Sequence, residues 1–167
     1  MACAGIRASP RECATSSNAI RVYLADGNDY FRDGLRDLLK AHDGIEVVGA
    51  AGDVRHAEME VSRLRPDVVV RDISLPHMDG AEAAALVRAL AACARVILLS
   101  LHATTEHVLH AMQAGACGYL LKSCAAEEIV EAVHAVHGGR RYVSHKLAEL
   151  LAEEYLRRSL ARDRELH

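Results

Sequence analysis

From Ile20 onward, short apolar runs alternate with longer stretches in which apolar residues recur every three or four positions. The runs are Ile20 to Ala25, Glu46 to Gly49, Asp67 to Arg71, Arg95 to Ser100 and Gly118 to Leu121, with Val and Ile concentrated in the first four. Continuous apolar runs of this length predict strands buried on both faces, as in a parallel sheet covered by helices. Between them, Phe31, Leu35, Leu38 and Leu39 share one face of a first helix. Val54 to Leu64, Ala81 to Leu90, Thr105 to Ala114 and Ala125 to Val136 supply four more helical segments, with Pro66 and Gly115 where helices should stop. The pattern predicts an α/β fold: a (βα)5 doubly wound parallel five-stranded sheet. After Gly138 and Gly139 the chain resumes at Ser144, where Leu147, Leu150, Leu151, Tyr155 and Leu156 predict an amphipathic C-terminal helix that belongs to no sixth strand.

Composition narrows the class. The 167 residues suit one domain with an appendage. The formal net charge of -3 provides no global positive field for nucleic acid or anionic membrane. The longest apolar runs fall far short of the roughly 18 residues of a membrane span. The first 18 residues lack the apolar core of a secretory signal and read as a flexible extension. Five cysteines at irregular spacing give neither a disulfide framework nor a Cys-x-x-Cys pair, which suits a reducing, cytoplasmic setting.

In an open parallel sheet, sites gather beyond the carboxyl ends of the strands. The residues that finish or follow the apolar runs are Asp26, Asp72, Ser100 and Lys122. Two carboxylates, a hydroxyl and an ammonium in one pocket suit an anion and its cation. A carboxylate can attack a phosphoryl group, while a divalent metal and a lysine neutralise its oxygens and a hydroxyl hydrogen-bonds one of them.

At these residues the sequence resembles a known family. The segment Val68-Val69-Val70-Arg71-Asp72-Ile73-Ser74-Leu75-Pro76-His77-Met78-Asp79-Gly80 resembles the phospho-acceptor strand and loop of the receiver domain of two-component response regulators. Leu98-Leu99-Ser100 resembles its switch-hydroxyl strand. Gly115-Ala116-Cys117-Gly118-Tyr119-Leu120-Leu121-Lys122 resembles the segment typical of the NarL/FixJ subfamily, whose regulators usually carry a LuxR-type helix-turn-helix output domain. The resemblance implies a signal acceptor rather than an enzyme. It makes Asp72 the phospho-acceptor, gives Ser100 and Lys122 the phosphoryl group to bind, and makes Tyr119 the rotating switch aromatic. It assigns Mg²⁺ to Asp26, Asp72 and the carbonyl of Ser74, a sensor histidine kinase as phosphodonor, and a homodimer through the surface of the fourth helix, fifth strand and fifth helix. The expected organisation is an extension over 1–18, a receiver over 19–143 and a linker helix over 144–167. Leu160 to Leu166 loosely resembles the start of the output domain, and no recognition helix follows, so DNA would be met only through an output domain absent from this chain.

Two departures stand out. The family ends its first strand with two adjacent acids, the second a direct metal ligand, whereas this chain reads Asp26-Gly27-Asn28, which predicts a weakened Mg²⁺ site. That departure motivates an alternative, an atypical receiver acting as a phosphorylation-independent interaction module. Asp29 reads as a helix cap rather than as a replacement ligand. Arg71 stands beside the acceptor where an apolar residue is usual; it is expected to snorkel to the strand's end, the alternative being an ion pair with an acid near the pocket.

Other features read more plainly. Tyr119 suits a core aromatic as well as a switch. His107 with His110 and His134 with His137 fall at i, i+3 spacing but lack the further ligands of a metal site, so they read as exposed helix residues. No phosphate-cradling glycine motif or nucleophile elbow is present. An aspartyl phosphatase would need an acid two residues after the nucleophile, where Ser74 stands.

Overall fold

The computed structural model describes residues 18–73, 80–124 and 126–166. In chain order its elements are β1 (Ile20–Ala25), α1 (Asp29–Lys40), β2 (Ile45–Ala51), α2 (Val54–Leu64), β3 (Val68–Asp72), α3 (Gly80–Ala91), β4 (Arg95–Ser100), α4 (Thr105–Ala114), β5 (Gly118–Leu121), α5 (Ala126–His137), β6 (Tyr142–Val143) and α6 (His145–Glu165). All strands are parallel, in the order β2-β1-β3-β4-β5-β6.

Side-chain alternation along the strands sorts the core into two layers. Val22, Leu24, Val68, Val70, Ile97, Leu99 and Leu120 face α1 and α5, meeting Leu35, Leu39, Ile129, Val133 and Val136. Tyr23, Val69, Val96, Leu98 and Tyr119 face the other way, against Val61 of α2, Val87 of α3, Val108 of α4 and Leu147 of α6. Each fully buried Leu, Ile or Val contributes roughly 1.5–3 kcal/mol relative to exposure. With few large aromatics available, small side chains let the layers close. A Cβ on Gly49 would lie 2.7 Å from the Tyr23 ring, so only glycine lets the buried Tyr23 lie flat across β2.

Helix ends follow the chain's punctuation. Asp53 caps α2 by accepting from Arg55 N and His56 N, and Thr104 caps α4 by accepting from His107 N. α4 stops at Gly115, whose φ of 115° lies in the left-handed region that favours glycine. α2 ends with Arg65 in the left-handed conformation immediately before Pro66.

Two expectations need correction. The sheet has six strands, because Tyr142 and Val143 pair with Gly118 and Tyr119 through bonds from Tyr142 N to Cys117 O (2.9 Å) and from Ser144 N to Tyr119 O (3.0 Å). A two-residue strand makes no recognisable apolar run; it forms because the β5 edge offers backbone partners. β2 is an edge strand, with Glu46 exposed and residues 47–50 half-buried, so it is not covered on both faces. The extension expected over 1–18 lies almost wholly outside the described residues.

Candidate functional site

Strand order reverses on either side of β1, and the crevice at the carboxyl ends of β1 and β3 is where ligands collect in such sheets. Asp26 follows β1 and Asp72 ends β3, exposed by only 3% and 7%. Lys122 follows β5 and is tied down by its N–H donating to Ser100 O at 2.8 Å. Its ammonium reaches back between the carboxylates, 2.8 Å from Asp26 Oδ2 and 3.4 Å from Asp72 Oδ2. The three predicted charged residues therefore meet, from strands separated in sequence by tens of residues.

The entry to α1 fixes the Asp26 carboxylate. Asn28 N donates to Asp26 Oδ1 at 2.8 Å, and the Asn28 side chain in turn accepts from Phe31 N at 3.0 Å as the N-cap of α1. Arg32 Nη1 donates to the Asp26 carbonyl at 2.5 Å, and Arg32 Nη2 lies 2.6 Å from Asp29 Oδ1. Asp29 is thus not the cap: Asn28 caps α1, and Asp29 pairs with Arg32. Asp26 Oδ2 is buried and, despite its contact with the ammonium, makes no hydrogen bond of good geometry among the described residues. At Gly27, an added Cβ would meet only Gly52 O, at 3.8 Å, so a larger residue fits this position.

Ser100 ends β4, 6% exposed, and its hydroxyl donates to the carbonyl of His102 at 2.5 Å. Tyr119 lies fully buried on the same face of the sheet, one strand away. Its hydroxyl has no hydrogen-bond partner of good geometry among the described residues. Burial raises the Tyr119 phenol above its ordinary value, the neighbouring Ser100 hydroxyl pulling the other way. Ser74 falls outside the described residues.

Arg71 departs from its expectation. It is 3% exposed, so its head does not snorkel to water, and its Nε has no hydrogen-bond partner among the described residues. Alternation turns it toward the layer under α2 and α3, away from the Asp72 side chain. Burial lowers the guanidinium pKa, opposed by the charges of Asp72, Glu58, Asp26 and Asp53.

Sequence reasoning missed the parts played by Asn28, Phe31 and Arg32. Asn directly before a helical period is a cap signal, and it was available. The Phe31 ring, 4.6 Å from the Lys122 ammonium, depends on tertiary packing and left no local trace. Among the described residues no group of three or more His, Cys, Asp or Glu is placed to hold a metal, and no helix is long and apolar enough to cross a membrane.

A parallel α/β sheet whose switch point gathers two buried carboxylates around one lysine presents a small charged crevice at the ends of its strands. The response regulator receiver domain profile matches residues 22–134, and the chain belongs to that family. It is 38% identical to the transcriptional regulatory protein MctR of Rhizobium johnstonii, over 84% of this chain and 65% of MctR. It is 35% identical to the response regulator UvrY of Escherichia coli, over 80% of this chain and 61% of UvrY. A LuxR-family two-component response regulator from Aurantimonas superposes with a TM-score of 0.75 at 33% identity, covering 83% of this chain and 99% of that one. The chain is thus a receiver domain of the kind found in LuxR-family regulators, and it spans less than two thirds of the length of these curated relatives. Receivers of this family are in general signal transducers rather than enzymes; they interact with sensor histidine kinases and often dimerise.

Proposed function

We propose that Asp72 accepts a phosphoryl group from a sensor histidine kinase and that the resulting charge switches a surface controlling transcription through a LuxR-type output domain. The observation that carries this reading is the single Lys122 ammonium shared by Asp26 and Asp72, at 2.8 and 3.4 Å, at the crevice of the sheet. An Asp72 carboxylate oxygen attacks the phosphorus of a phosphohistidine; the P–O bond forms as the P–N bond breaks, and the leaving imidazole nitrogen takes up a proton from water. Lys122 then gives up part of its pairing with the carboxylates to neutralise the phosphoryl oxygens, and Ser100 leaves the His102 carbonyl to donate to one of them. Tyr119, on the same face as Ser100, follows that movement inside the core.

Asp26, Asp72 and the carbonyl of Ser74 would hold Mg²⁺, which supplies further charge neutralisation at the transferred group. The buried Asp26 Oδ2, lacking a well-directed hydrogen bond, fits a second cation. Two carboxylates plus waters meet the usual demand of this ion, and Gly27 leaves out a third, so binding is weak. The receiver occupies 19–143 and the linker helix 144–167, acting in the cytoplasm. Pairing of two receivers uses α4, β5 and α5, a face on which β6 now covers the β5 edge and α6 packs near α4.

Acetyl phosphate with Mg²⁺ should add one phosphoryl group to the wild type by intact-mass spectrometry, and Asp72→Asn should abolish it. Gly27→Asp should lower the Mg²⁺ concentration needed. Label that persists in Asp72→Asn would refute the assignment of the acceptor.

A further inference from the structure

We propose that Phe31 is a positioning residue for this phosphoryl transfer, its ring face holding the Lys122 ammonium over the two carboxylates. The proposal rests on Asp72 being the acceptor. Lys122 Nζ lies 4.6 Å from the centroid of the Phe31 ring, while the same ammonium contacts Asp26 and Asp72. Its side chain is 8% exposed, so the attraction of a cation to the ring quadrupole operates with little water to screen it.

Lysine needs such a guide. Its backbone is fixed at the end of β5, but four methylenes separate that anchor from the charge, and the ammonium is a point charge without the rigid fork of arginine. The ring is itself held. Phe31 N donates to the Asn28 side chain, Asn28 N donates to Asp26 Oδ1, and α1 is clamped to the sheet by Leu35 and Leu39. Asp26, Asn28, Phe31 and Lys122 thus close a circuit of contacts in which the helix entry sets both the carboxylate and the cation above it.

An aromatic face suits the task for a chemical reason. A carboxylate in its place would cancel the lysine's charge, whereas a ring orients the ammonium and leaves its charge available to incoming phosphoryl oxygens. In this chain the matter is sharper, because Gly27 contributes no acid beside Asp26.

The test uses the whole chain with acetyl phosphate and Mg²⁺, reading the rate of labelling at Asp72 by mass spectrometry. Phe31→Leu, which keeps an apolar side chain but removes the ring face, should slow labelling roughly 3- to 30-fold, the range that a partly to fully desolvated cation–ring contact implies. Phe31→Tyr should restore the rate. A readout independent of activity is the NMR shift of the Lys122 Cε protons: ring current should displace them in the wild type and in Phe31→Tyr, and the displacement should vanish in Phe31→Leu. Equal labelling rates in Phe31→Leu and wild type, or undisplaced Lys122 protons in the wild type, would overturn the proposal. A wild type that takes no label at Asp72 while its Lys122 protons stay displaced overturns the acceptor assignment, and the positioning role falls with it.

Discussion

Replacing Lys122 by methionine keeps most of the side-chain stem and removes the charge that two buried carboxylates share. At an effective dielectric constant of about 20, a unit charge pair at 2.8 Å attracts by about 6 kcal/mol and one at 3.4 Å by about 5 kcal/mol. Much of this is offset by the cost of burying the ammonium, which the folded protein bears and the variant escapes. What the variant cannot escape is Asp26 and Asp72, 3% and 7% exposed, left without their common counter-ion. Breaking a buried pair from one side costs about 3–5 kcal/mol. With a urea m-value of about 2 kcal/mol/M, the unfolding midpoint should fall by roughly 1.5–2.5 M. The companion measurement is a double-mutant cycle with Asp26→Asn. Removing one carboxylate should hurt the wild type and hurt Lys122→Met much less, with a coupling of about 1–3 kcal/mol. A loss below about 1 kcal/mol for Lys122→Met, or the same effect of Asp26→Asn in both backgrounds, would refute the shared ion pair as a force in the fold.

Three of the five tyrosines, Tyr23, Tyr119 and Tyr142, have phenols raised above the ordinary value, in each case chiefly by burial, and Tyr23 and Tyr142 are raised further by Glu60 and Glu131. A folded-state pKa above the unfolded value stabilises fully below the unfolded pKa of about 10 and is lost as pH rises toward the folded values. Stability should therefore fall with rising pH above about 10, and absorbance titration of the native protein should leave these phenols protonated there; their ionisation near pH 10 without unfolding would contradict the burial. At the start of α6, Ser144 makes no cap bond, and Glu128 of α5 takes over, accepting from His145 N at 3.0 Å and lying 2.8 Å from His145 Nδ1. Glu128→Ala should cost about 1–2 kcal/mol and speed hydrogen exchange at residues 145–148, whereas unchanged exchange there would show that Leu147 alone holds the helix.

Much of the receiver was legible in the sequence because its signals are local. β1, β4 and β5, along with α2 and α4, lie where the apolar periodicity put them, since burial on both faces of a parallel sheet demands continuous Val, Ile and Leu. Asp26, Asp72 and Lys122 could be named because strand ends in such a sheet converge, and their family motifs are contiguous segments.

What the chain could not declare by itself was everything set by neighbours distant in sequence. Arg71 reads as a charge that should find water, and only the closing of α2 and α3 over β3 determines that it does not. β6 exists because β5 has an unpaired edge, and Glu128 caps α6 because the first turn of α5 lies beside the start of α6. The Phe31 ring belongs to the apolar stripe of α1 by its period, yet its partner is a cation from the far end of β5. Period and motif are written residue by residue, so the sequence alone determined the elements other than β6 and which charged residues stand at the strand ends. Edge pairing, capping across helices and the environment of a buried charge depend on which surfaces meet, and those were decided only when the sheet and its helices packed.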